Sequence, residues 1–234
     1  MKKNSHLTTC ARIITRLKSL SRPENLEGMA RFGINTSKAF AVSIPALRSM
    51  AKEIGKNHTL ALSLWKTEIH EARILAALID DPHAVTEKQM ESWVRDFDSW
   101  DVCDGCCGNL FDKTPFARHK AFEWSRRSEE YVKRAGFVLM ATLSVHDKKA
   151  TDKVFLSFLK PIKREAGDNR NYVKKAVNWA LRQIGKRNPS LCKHAIRTAE
   201  EISSMESSSA RWIAADALRE LRNKKFKTVL TLRA

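Results

Sequence analysis

Glycine and proline are scarce in this chain, with eight and six residues among 234. An all-β protein needs a turn residue every few positions, so this composition leaves too few punctuation points for one and favours helices. Long apolar runs are missing as well. No stretch approaches the roughly 18 apolar residues of a membrane span, and the start Met1-Lys2-Lys3 lacks the apolar core of a secretory signal. The expectation is a soluble, cytoplasmic chain with no membrane partner. Cysteine is present in odd number, as Cys10, Cys103, Cys106, Cys107 and Cys192. That fits reduced thiols better than a disulfide framework.

Signatures of cofactor chemistry are absent too. The chain has no phosphate-binding loop, no GxSxG elbow and no dinucleotide fingerprint, so no cofactor is expected. Cys103, Cys106 and Cys107 lie beside Asp101 and Asp104, but no second ligand pair follows at zinc spacing and His119 is isolated. No metal is expected. The seven histidines, at 6, 58, 70, 83, 119, 146 and 194, follow no partner pattern, and none is assigned a catalytic role.

What is abundant is positive charge. Lysine and arginine number 43 against 26 acids, giving a formal charge of +17 and a pI near 9.9. Nucleic acid is the leading partner class for such a chain. The charge is uneven: residues 160–197 hold eleven bases and two acids, whereas residues 80–112 hold nine acids and two bases.

Apolar residues recur at helical spacing through long windows, and helix boundaries are legible in places. Thr86-Glu87-Lys88-Gln89 has capping-box form, and Thr114-Pro115 reads as an N-cap followed by a first-turn proline. Asp80-Asp81-Pro82 and Asn188-Pro189 read as breaks. Residues 1–22, with six bases and no acid, form an amphipathic segment through Ile13, Ile14, Leu17 and Leu20, expected as an N-terminal capping helix.

A weak internal repeat organises the rest. Aligned on a basic residue, segments begin at Arg73, Lys133, Lys174 and Arg211, the last three separated by 41 and 37 positions. Repeats of that length, built from two helices with small residues inside, match HEAT-like stacking. The gap of 60 before Lys133 contains the Trp100 segment, read as the inner helix of a divergent unit. The expected architecture is all-α: one HEAT-like repeat domain over residues 1–234, a superhelical solenoid whose concave side becomes a basic groove if the repeated bases face inward.

Within the acidic stretch stands Trp100-Asp101-Val102-Cys103-Asp104. On a helix Trp100 and Asp104 share a face, while Asp101 points about 100° away and is expected to have a structural partner. A carboxylate beside an indole in a polyanion-binding protein makes sense if it meets a positive group there. Trp179 recurs on a later inner helix, Arg134 lies between, and Phe32 is an early aromatic.

These stretches, in order, carry a resemblance: Gly28-Met29-Ala30-Arg31-Phe32, Ser99 to Asp104, Lys133-Arg134-Ala135, and Tyr172 to Arg182. From about Pro23 to the last helix the chain resembles the AlkD-type DNA alkylation repair glycosylases, a HEAT-like family. Phe32 stands where some relatives have tyrosine, Asn171 where a second aromatic can occur, and the stretch between Asp104 and Arg134 is shorter. The resemblance implies a base-excision glycosylase acting on cationic alkylated purines, 3-methyladenine and 7-methylguanine, in double-stranded DNA. It implies Asp104 as the catalytic carboxylate, Trp100 and Trp179 as the lesion-contacting indoles, and Arg134 as a phosphate ligand. Lys174, Lys175 and Arg182 are further phosphate candidates, and Phe32 and Tyr172 further DNA contacts. It also implies recognition from an open groove, without a deep pocket for a flipped base. The competing expectation is a HEAT-repeat scaffold that binds DNA or protein without catalysis.

Overall fold

In the computed structural model, which describes residues 9–223, thirteen α-helices carry the fold and no strand occurs among the described residues. They fall into two compact units divided between Thr114 and Pro115. The first holds α1 (Cys10–Ser19), α2 (Leu26–Arg31), α3 (Ile44–Ile54), α4 (His58–Trp65), α5 (His70–Ile79), α6 (Glu87–Arg95) and α7 (Trp100–Asn109). The second holds α8 (Ala117–Trp124), α9 (Glu130–His146), α10 (Asp152–Glu165), α11 (Asn171–Gly185), α12 (Pro189–Ser203) and α13 (Ser208–Leu221). No described helix is long and apolar enough to cross a membrane.

The helices alternate in role. In the second unit α9, α11 and α13 pack side by side, and each is backed by the helix before it. The repeated bases have a common register: Arg73, Lys133, Lys174 and Arg211 are each the fourth residue of α5, α9, α11 and α13. The divergent helix α7 carries Cys103 in that place. Position within the repeat therefore survives where the residue type does not.

Caps set several boundaries. Asn188 caps α12 by accepting the Leu191 N–H at 2.8 Å, and Thr86 caps α6 by accepting the Gln89 N–H at 3.1 Å. The capping box at Thr86 closes only on that side. The Gln89 amide turns instead to the buried Asp80 carboxylate at 2.7 Å, which has no exposure and needs a donor. Thr114 also departs from expectation: its hydroxyl donates back to the Phe111 carbonyl at 2.8 Å and closes a short 3-10 turn, so α8 begins only at Ala117. Of the basic N-terminal segment, α1 buries Ile13 and Leu17, leaves Leu20 exposed and pairs Arg16 with Glu53. Residues 1–8 of that segment lie outside the described residues.

Three packing details fix the elements near the site. In the first unit the buried Glu71 carboxylate accepts the N–H groups of Phe40 (2.9 Å) and Val42 (3.3 Å), on either side of Ala41 with φ 57°. The left-handed turn costs about 1 kcal/mol for an alanine, and the two charged hydrogen bonds offset it. Nearby, Trp65 and Trp93 stack with ring centres 3.9 Å apart and planes 2° from parallel. In the second unit Gly136 of α9 lies against the end of α8: a Cβ there would sit 2.9 Å from the Trp124 carbonyl carbon and nearer still to the Ser125 nitrogen. Only glycine permits that approach.

Candidate functional site

Helix α7 is tied down at its first turn. The Asp101 carboxylate accepts from the Ser99 hydroxyl at 2.6 Å and from the Val102 N–H at 2.9 Å, and its other oxygen meets His70 Nε2 at 2.9 Å. His70 is the first residue of α5 and is 5% exposed, so two helix N-termini are joined through one largely buried, hydrogen-bonded His–Asp pair. Burial would push His70 down, but the hydrogen bond and charge of Asp101, with Glu71 and Asp98 behind, raise it above its ordinary value. For Asp101, burial acts upward and is outweighed by His70, Ser99 and the Val102 N–H, which hold it below the ordinary carboxylate value.

The anchored helix turns one face inward and one outward. Cys103, Cys106 and Cys107 are fully buried, and burial raises the thiols of Cys106 and Cys107 well above their ordinary range, with Asp104 adding to the effect on Cys107. Such thiols are poor nucleophiles. On the other face Trp100 and Asp104, one turn apart, are both half-buried, with the small residues Gly105 and Gly108 beside them. The Trp100 indole donates to the Phe32 carbonyl at 2.9 Å, and the Phe32 ring is 75% exposed. Three of the expected residues, Phe32, Trp100 and Asp104, thus share the surroundings of one helix end.

A polar cleft of about 290 Å³ opens beside this end, lined by Asn35, Lys38, His70, Arg73 and Asp98 among others. Arg73 is 7% exposed. Its Nη1 donates to the Asp96 carbonyl at 2.9 Å, and its guanidinium carbon lies 5.3 Å from the centre of the Trp65 ring. The first of the repeated bases is therefore built into the fold.

In the second unit the expected residues cluster on α11 and its neighbours. Tyr172, Lys175 and Trp179 fall on one partly exposed face of α11, with Lys175 exposed and the two aromatics half-buried. Tyr172 stacks on Tyr131 at 5.7 Å, each being the second residue of its helix. Arg134 is 6% exposed, and its Nη1 donates to the Tyr172 carbonyl at 2.6 Å. Arg182 donates to Asp216 at 2.8 Å and also pairs with Glu220. Burial pushes the Asp216 carboxyl upward, and Asn178 and Arg182 more than reverse it, leaving it lowered. Lys174 lies over the Trp212 ring, 5.4 Å from its centre. Lys133, the second repeated base, is 12% exposed between Glu165 at 2.6 Å and Asp168 at 3.3 Å.

A basic groove built from all four repeated positions is thus not what Arg73 and Lys133 provide, because both are buried or nearly so and hold other parts of the chain. Three participants carry no local sequence signal strong enough to single them out. His70 finds its acid 31 residues away, Tyr131 finds its stacking partner one repeat along, and Trp212 stands exposed on α13. Only the repeat register points to the last two, since both occupy positions that bear chemistry in neighbouring helices.

A search of curated proteins finds none that matches. Among solved structures, one described as a new family of proteins related to the HEAT-like repeat DNA glycosylases, with affinity for branched DNA structures, superposes with a TM-score of 0.75. It is 20% identical, and the match covers 90% of this chain and 94% of that one. The fold is therefore the HEAT-like repeat fold, as the paired helices and their shared register indicate. The family model for DNA alkylation repair enzymes matches residues 13–226, nearly the whole chain, and on that match the protein belongs to the DNA alkylation repair enzyme family.

Proposed function

We propose that the protein is a DNA glycosylase that releases cationic alkylated purines, such as 3-methyladenine and 7-methylguanine, from double-stranded DNA. The observation that carries this reading is the α7 end: an internally anchored helix that presents Trp100 and Asp104 on one partly exposed face. Alkylation at N3 of adenine or N7 of guanine leaves a positive base that departs without prior protonation. The task left to the protein is to stabilise the oxocarbenium-like sugar.

Asp104 is suited to that task. Opposite unit charges about 4 Å apart attract by roughly 4 kcal/mol at an effective dielectric of 20. Confined to the transition state, that amounts to about three decades in rate. An indole face gains roughly 0.5–2 kcal/mol from a cation and less from a neutral base, which assigns Trp100 and Trp179 to lesion discrimination. Phe32 and Tyr172 are DNA contacts in this reading, and Lys174 and Lys175 phosphate contacts. Arg134 and Arg182 remain phosphate candidates only through guanidinium atoms not already given to Tyr172, Asp216 and Glu220.

The deciding assay incubates the protein with methylated DNA and measures the released 3-methyladenine and 7-methylguanine. Asp104→Asn should reduce release by about two to three decades, because it removes the negative charge that stabilises the sugar cation, and Trp179→Ala should reduce it less. Release absent from the wild type, or unchanged in the aspartate variant, rules out this mechanism. The rival reading is a non-catalytic DNA-binding relative, and the solved neighbour described by its affinity for branched DNA favours it. Tight DNA binding with no base released is the outcome that selects it.

A further inference from the structure

Trp212 is the counterpart, in helix register, of residues already assigned roles. It is the fifth residue of α13, as Asp104 is of α7, Arg134 of α9 and Lys175 of α11. At 41% exposure it is one of few large apolar side chains left open among the described residues. A solvated tryptophan at a repeat position that carries charge in α7, α9 and α11 calls for an occupant.

The seam between α11 and α13 changes character along its length. Toward the helix C-termini the cations have acids: Arg182 pairs with Asp216 and Glu220, and Lys186 with Glu220. Asn178 also donates to Asp216 at 2.7 Å. At the N-terminal end the acids lie outside the helices: Asp168, ahead of α11, is taken by Lys133 and Arg170, and Glu206, ahead of α13, is exposed. Among the described residues Lys174 has the Trp212 ring beneath it and no carboxylate, Lys175 is exposed with no carboxylate partner, and Arg211 reaches the Glu206 carbonyl at 3.1 Å. Neither helix has an acid in its first turn, so their positive ends add to the same field.

We propose that Trp212 is a stacking platform for an unpaired DNA base, with Lys174, Lys175 and Arg211 holding the phosphates beside it. This rests on the DNA-binding reading above and adds to it a site for DNA structure. Charge selects the polyanion, and the indole selects what the polyanion must present. In an intact duplex the base faces are stacked inside, and an outside ring meets only sugar and phosphate. A fork, gap or flap frees a base whose π-face can lie on the indole, with a lysine ammonium close to both ring and backbone.

The test compares a forked oligonucleotide with a fully paired one of equal length, by fluorescence anisotropy at one fixed salt concentration. The wild type should favour the fork. Trp212→Ala should lose about tenfold on the fork, the size of one base-stacking contact, and less than about twofold on the duplex. Trp212→Phe should retain most of the fork preference, and Lys174→Ala should weaken both substrates alike. An equal loss on both substrates, no loss on the fork, or an effect of Trp212→Ala confined to self-association overturns the proposal while leaving DNA binding intact. A wild type that binds neither oligonucleotide overturns the DNA-binding reading as well.

Discussion

Helices α7 and α11 are built on one repeat plan and take opposite electrical characters. Around α7 the chain is acidic, and its helix end is fixed by a buried His70–Asp101 pair drawn from two different helices. Around α11 the chain is basic, and the helix is fixed by Arg134 beneath Tyr172 and by a ladder of pairs to α13. The same divergence runs through the repeated fourth position. Arg73 and Lys133 are turned into the fold, whereas Lys174 and Arg211 keep their charge for the outside. A basic repeat is therefore no guarantee of a basic surface, since the early copies serve cohesion and the late ones are left to a partner.

Substitutions can break this contrast. Arg73→Ala should cost the most stability, about 3 kcal/mol by urea unfolding, because it strands the Asp96 carbonyl and removes the cation above Trp65. It should leave the salt dependence of DNA binding unchanged. Lys133→Ala should cost about 1–2 kcal/mol, since it removes the cation shared by Glu165 and Asp168 and leaves them to Arg164 and Arg170. A fall in salt slope for either variant would place these bases on the DNA and erase the distinction. Lys175→Ala should do the reverse: stability within about 0.5 kcal/mol of wild type, and a slope reduced by about one contact.

The smallest expected effect is on pH dependence. Asp101 is lowered from its ordinary 3.8, so its contribution is present above that value and is lost as pH falls through the depressed one. His70 is raised from its ordinary 6.5, so its contribution is full below 6.5 and is lost as pH rises through the raised value. The pair should therefore support α7 best between about pH 4 and 6.5. The stability difference between the wild type and His70→Gln, measured across pH, should peak in that window; a flat difference would mean that the pair is not an ion pair.

Much of this organisation can be read without coordinates. The all-α class follows from scarce glycine and proline, the breaks at 80–82 and at Asn188-Pro189 from local side chains, and the inner helices from a base repeated about every 40 residues. The face shared by Trp100 and Asp104 follows from helical spacing alone. Failures occur where another partner, near or distant, displaces the one that the local pattern offers. Gln89 leaves its capping box for Asp80, Thr114 turns back to Phe111, and Arg73 and Lys133 are buried by groups 23 to 35 residues away. Local pattern tells where a residue stands on its helix, and only packing tells which way its charge is used.

The near-coplanar Trp65–Trp93 stack has a practical side. Of six tryptophans, Trp65, Trp93 and Trp100 belong to the first unit and Trp124, Trp179 and Trp212 to the second. Two indoles held face to face at 3.9 Å are close enough to couple their electronic transitions, and any exciton contribution of that stack to the circular dichroism belongs to the first unit. Its loss on heating or in denaturant, set beside the overall helical signal, gives an optical clock for one half of the molecule without any label.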